Sequence, residues 1–198
     1  MEVIVAPHID NLYDFPNITV FLAGGITNCH DWQSEVIEYL RLYDINNKLN
    51  LKVFNPRRPD FNIEVDDPVE QIRWEYDMIN NRTDIFSMYF CNSESDQPIC
   101  MYELGMRLGR ITEHPYRFTT EYESYNTIIS VEDGYKRAND VLIQTELAVS
   151  RNIKVNLHAN PKNHADLIIK EYEKIMKRRK NDRNRISVKV DDIVLDRE

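Results

Sequence analysis

The chain has 198 residues, of which 42% are hydrophobic and 29% charged, and it carries a formal net charge of −8. That length suits one domain with a sizeable core, residues 1–198, and leaves two full domains cramped. The acidic balance excludes a general nucleic-acid binder, and no apolar run reaches the roughly 18–20 residues of a membrane span.

In chain order, MEVIVAPHIDN lacks the basic start and apolar stretch of a signal peptide. ITVFLAGGI (Ile18–Ile26) is a short apolar run ending in two glycines, the pattern of a buried strand entering a tight turn. Asp31 is placed to cap a helix in which Trp32, Val36, Ile37 and Leu40 recur at helical spacing. LKVFNP is a second strand ended by Pro56, and Pro68 suits the first turn of a helix through VEQIRWEYDMINN. DIFSMYF is a third strand, followed by a polar loop and a helix opened by Pro98. NTIISV and IKVNL are the fourth and fifth strands, with helices predicted over 139–150 and from His164 to about Lys180. The basic run near Lys174–Arg185 reads as a solvated helix end before an acidic tail.

Strands and helices alternating five times, with non-alternating apolar strands, predict a parallel α/β sheet covered on both faces. The expected architecture is a flavodoxin-like three-layer sandwich with a five-stranded parallel sheet in the order 2-1-3-4-5. Ligands of such sheets bind outside the carboxyl ends of the strands. That edge gathers AGGI, NPRR, the SESDQPICMYE segment and EDGYKR.

On this edge Gly24 and Gly25 permit close backbone approach to a ligand, whereas GxGxxG and P-loop patterns are absent. Asn55, Arg57 and Arg58 sit at the tip of the second strand, where arginine forks suit phosphate or carboxylate. Trp32 and Trp74 are core residues by default; beside a nucleoside pocket a tryptophan also stacks on a base. Glu103, in the second turn of PICMYELGMRLGR, is either half of an ion pair with Arg107 or a site residue. Glu75 and Asp77 lie on the preceding helix, and a paired-acid site at an anomeric carbon would need one acid from each helix. The three cysteines, Cys29, Cys91 and Cys100, form no CxxC pair and read as reduced thiols of a cytoplasmic protein, with no structural zinc.

FLAGGI, DWQ, NPRRPDF, QIRWE, TDIFSMYF and MYELGMRLGR, taken in this order, resemble the nucleoside 2-deoxyribosyltransferase-like family, and GYKRANDVLIQTELA is similar to its later segment. The resemblance spans about residues 18–157 and leaves 158–198 as a C-terminal helix and tail. It implies cleavage of an N-glycosidic bond in a nucleoside or nucleotide, with Glu103 matching the family's nucleophile and Glu75 or Asp77 as the second acid. Gly24, Gly25, Asp31, Trp32, Asn55, Arg57, Arg58 and Trp74 would then surround the small-molecule substrate. No metal or cofactor is called for, nor a nucleic-acid or membrane partner, and homo-oligomerisation is expected on family grounds. A nucleotide N-glycosidase that passes the sugar to water, and a non-catalytic nucleotide-binding module, are the alternatives.

Overall fold

The computed structural model describes residues 1–8, 17–60, 67–113, 126–148 and 153–195. Its strands are β1 (Glu2–Val5), β2 (Ile18–Gly24), β3 (Leu51–Asn55), β4 (Ile85–Phe90), β5 (Thr127–Glu132) and β6 (Val155–Ala159). Its helices are α1 (Trp32–Asn47), α2 (Pro68–Asp77, continued by a π-helical turn over Met78–Arg82), α3 (Pro98–Glu113), α4 (Ala138–Ala148) and α5 (Pro161–Leu195).

The described strands form one parallel sheet in the order β1-β3-β2-β4-β5-β6. This corrects the expectation of five strands in the order 2-1-3-4-5. The additional strand is EVIV at the start of the chain, which pairs with β3 from Glu2↔Lys52 to Val5↔Asn55. Four residues carry too little periodicity to announce a strand by themselves. What recruits them is the open edge of β3, whose backbone groups otherwise lack partners. Without β1, the remaining five keep the mutual arrangement the sequence suggested.

Each face of the sheet carries its own apolar cluster. On one side Trp32, Val36 and Leu40 of α1 and Ile168 and Tyr172 of α5 pack against Val20, Leu22 and Ile85. On the other, Trp74, Met78, Leu104, Leu108 and Val141 cover Phe21, Phe54, Phe86 and Met88. Leu104 and Leu108 form the buried stripe of α3, with Met101 half-buried and Cys100 filling the first turn.

One buried polar network ties the first layer to the sheet. His164, at 0% exposure, stands 2.7 Å from Ser87 Oγ on β4 and 2.7 Å from Ser130 Oγ on β5. Burial pulls its pKa down to about 3, so the ring is neutral where it sits.

α5 begins before His164 and runs well past Lys180, so the basic run lies inside the helix and residues up to Leu195 continue it. The end of the predicted tail, 196–198, and Phe61 of the NPRRPDF motif lie outside the described residues. Among the described residues no helix is long and apolar enough to cross a membrane. Cys29, Cys91 and Cys100 are free thiols.

Candidate active site

The site begins where β2 runs out at its carboxyl end. Gly24 pairs with Tyr89 of β4, and a Cβ on it would fall 2.3 Å from the Tyr89 carbonyl oxygen and 2.6 Å from the Trp32 ring. Gly25 is equally confined, with a Cβ falling 2.5 Å from Cys29 Sγ and 2.7 Å from Gln97 Oε1. Both glycines are therefore demanded by close packing of the loop against its neighbours. Trp32 is fully buried, stacks on Tyr89 at 4.8 Å and donates from Nε1 to the Gly25 carbonyl at 2.9 Å.

The opposite wall is the loop from β4 to α3. Gln97, 3% exposed and at φ 49°, donates from Nε2 to the Cys91 carbonyl at 2.7 Å and to Ser93 Oγ at 3.3 Å. Those bonds fix which way the amide faces, and they leave Oε1 buried without a hydrogen-bond partner. Tyr135 and Lys136, from the turn after β5, hold the same loop by donating to the Asp96 and Glu94 carbonyls.

Between these walls lies a cavity of about 340 Å³, floored by Phe21 and Ala23 of β2 and closed by Pro56, Ile99 and Cys100. Two carboxylates line it, Glu75 from α2 and Glu103 from α3. Glu103 is only 9% exposed, and burial, reinforced by the charge of Glu75, pushes its pKa up to about 8. Burial also raises Glu75, opposed by a hydrogen bond of 2.8 Å from Gln71 Nε2, which bonds in addition to the Pro56 carbonyl. Burial and the neighbouring carboxylate both oppose ionisation, so Glu103 keeps its proton near neutrality.

Arg107 does not pair with Glu103. Its Nε donates to Thr127 Oγ1 at 3.1 Å and its guanidinium lies over the Phe86 ring, so the ion-pair reading of α3 falls away. Burial lowers the Arg107 pKa to about 10, with a contribution from Arg110.

Of the residues singled out from sequence, Gly24, Gly25, Glu75 and Glu103 line the cavity. Asp77 does not: it bonds with Asn81 and Arg82. Asp31 caps α1 and pairs with Arg57 at 3.2 Å. Asn55 accepts from the Arg57 backbone N–H, and Arg57 itself turns into the loop after β2. Arg58 lies 3.8 Å from Asp60, beside β1. Trp74 packs on Phe21 and Phe54 and donates to the His8 carbonyl, a core position. Sequence reasoning missed Gln97, Cys100, Thr27 and Ser95 on the cavity wall.

Residues 17–114 match the family model described as nucleoside 2-deoxyribosyltransferase like. Over that span the chain is similar to this family. No curated protein matches it. The deoxyribosyltransferase-like span runs from β2 to the end of α3 and contains every residue of the cavity wall, Glu75 and Glu103 included. The family suggests binding of a nucleoside and glycosyl transfer of the deoxyribosyltransferase type. The likeness read into Gly134–Ala148 lies outside the matched residues.

Proposed function

We propose that the protein cleaves the N-glycosidic bond of a deoxynucleoside by double displacement, with Glu103 as nucleophile and Glu75 as its proton partner. The observation that carries this is the placement of both carboxylates, largely buried, in one nucleoside-sized cavity at the carboxyl edge of the sheet. A Glu103 oxygen attacks the anomeric carbon, the C–N bond breaks, and its electron pair leaves on the base. The Glu103 proton has a matching use. Glu103 must lose it to attack, and the departing base nitrogen must gain it, with Glu75 as the carboxylate beside both. A second base then attacks the anomeric carbon with its ring nitrogen, displaces the Glu103 carboxylate and returns its N–H proton to the carboxylate pair, with net retention of configuration.

Among the described residues no lysine or arginine lines the cavity. That favours a nucleoside over a 5′-phosphorylated substrate, because Arg57, which would have favoured the nucleotide, spends its donors on the protein.

Incubation with a deoxynucleoside and intact-mass spectrometry tests the assignment. The wild type should gain the mass of one deoxyribosyl group, and Glu103→Gln and Glu103→Ala should gain none. A labelled Glu103→Gln, or exchange activity unchanged in it, would sink the assignment.

The free thiols support a reducing, cytoplasmic setting. Exposed apolar side chains on α2 (Val69, Ile72, Tyr76) and α3 (Ile99, Tyr102) support assembly as a homo-oligomer, which light scattering checks.

A further inference from the structure

The cavity wall contributed by the loop after β2 is held from behind by one side chain. Arg57 Nε donates to Gln33 Oε1 at 2.9 Å and lies 3.2 Å from Asp31 Oδ1. One terminal nitrogen faces four loop carbonyls, His30 at 2.9 Å, Ile26 at 3.3 Å, and Gly25 and Cys29 at 3.4 Å each. The Gly25 carbonyl accepts from Trp32 Nε1 and Gln33 Nε2 as well. Arg57 is not part of the cavity wall, whereas Gly25, Ile26 and Thr27 are. Its guanidinium, always charged and with donors in a fixed fork, therefore shapes the wall without touching the space inside.

The peptides joining Gly25, Ile26 and Thr27 are trans, so each N–H points opposite the carbonyl before it. Drawing the Gly25 and Ile26 carbonyls back onto Arg57 turns the N–H groups of Ile26 and Thr27 away from it, toward the side that forms the wall. Among the described residues neither N–H meets an acceptor. Ile26 is half-buried and Thr27 exposed, so these N–H groups are open to the cavity side, where a bound ligand can replace water as their partner.

We propose that Arg57 is a positioning residue: by holding back the loop carbonyls it presents the Ile26 and Thr27 amides as a donor pair for an acceptor atom of the bound nucleoside. This rests on the nucleoside reading above. The polar wall also carries Glu75, Glu103, the unpartnered Gln97 Oε1 and the rotatable Ser95 and Thr27 hydroxyls, so the two backbone amides add donors of fixed direction. A base losing its C–N bond gathers negative charge on its ring nitrogens and carbonyl oxygens. Fixed amides facing that charge stabilise the departure without reorganising. A sugar hydroxyl is the other acceptor of the same chemistry.

Amide spectra of the wild type, Arg57→Ala and Arg57→Lys, with calorimetric titration of a deoxynucleoside, test this. In ligand-free Arg57→Ala the Ile26 and Thr27 amide signals should move. Nucleoside affinity should fall by roughly tenfold or more, the loss of about one good polar interaction. Guanidinium ion added far below denaturing concentrations should restore both. Arg57→Lys should leave the amides displaced, because one ammonium nitrogen cannot reach Gln33 and Asp31 and the loop carbonyls together as the two separated nitrogens of the guanidinium do. Amides unmoved in Arg57→Ala, or fully restored by lysine, overturn the proposal whether or not a nucleoside binds. Displaced amides in a protein whose wild type binds no nucleoside keep the loop assignment and remove the functional one. With the wild type, titration by free base and by deoxyribose separately shows which half supplies the acceptor, and movement with either supports the donor pair. A bound nucleoside that moves neither amide refutes it.

Discussion

Replacing Glu103 by glutamine should stabilise the protein, by an amount that depends on pH in a defined way. In the unfolded chain the carboxyl ionises near 4.5, whereas in the folded protein burial and Glu75 hold it protonated to about 8. Between those values unfolding releases a proton, so native stability falls as pH rises. The penalty is absent below the unfolded value and complete above the folded one. From 4.5 to pH 7 there are about 2.5 pH units, each worth ~1.4 kcal/mol, so Glu103 costs about 3 kcal/mol at neutrality. Glutamine has the same shape and no charge to desolvate. For a chain of this size about 3 kcal/mol corresponds to roughly 6–12 °C in Tm. Calorimetric melts of both proteins from pH 4 to 9 read the difference directly. The curves should coincide near pH 4, diverge steadily through neutrality and run parallel above pH 8. A difference that stays flat across this range, or a wild type more stable than the variant at pH 8, would refute the buried-acid account of the site.

Four other outcomes follow from the same geometry. His164, depressed to about 3 by burial, contributes stability that is present above its unfolded value and lost as pH falls. The wild type should therefore lose about 2 kcal/mol between pH 6.5 and 5 in urea melts, a loss that shrinks in His164→Asn. Gly25→Ala should cost about 1–3 kcal/mol, because its Cβ meets Cys29 and Gln97 inside 2.8 Å. Gly105→Ala, with nothing within 4 Å, should gain up to about 1 kcal/mol from helix propensity, and equal thermal shifts for the two would contradict the packing described. Glu75→Gln should slow ester formation by about a hundredfold or more while Asp77→Asn leaves it near wild type, and single-turnover mass spectrometry ranks them.

The residues that could be read in advance share a property. Glu103 is a lone acid among the apolar and basic neighbours of a helix that follows a strand, and Gly24-Gly25 end an apolar run, so local pattern already set both apart. Asp31 and Pro68 announce helix starts by capping chemistry that involves only their own turns. Arg57 could not be read this way. An arginine at a strand tip suits a phosphate until the loop carbonyls it meets, some 27 to 32 positions earlier, are known. Gln97 was likewise silent, because its role depends on Gly25 crossing in front of it.

The sequence by itself determined the alternation of strands and helices, the carboxyl edge on which ligands sit, and Glu103 as the acid to watch. The first two follow from periodicity, capping and turn chemistry, all of which act over a few neighbouring residues, whereas Glu103 is singled out by the resemblance to the family. Only the tertiary structure decided the sixth strand, the choice between Glu75 and Asp77 at the cavity, and the turning of Arg57 into the backbone. These depend on which surfaces meet. Two carboxyls from different helices oppose each other's ionisation only when they line the same cavity, and an arginine binds a ligand or a loop according to which lies within reach.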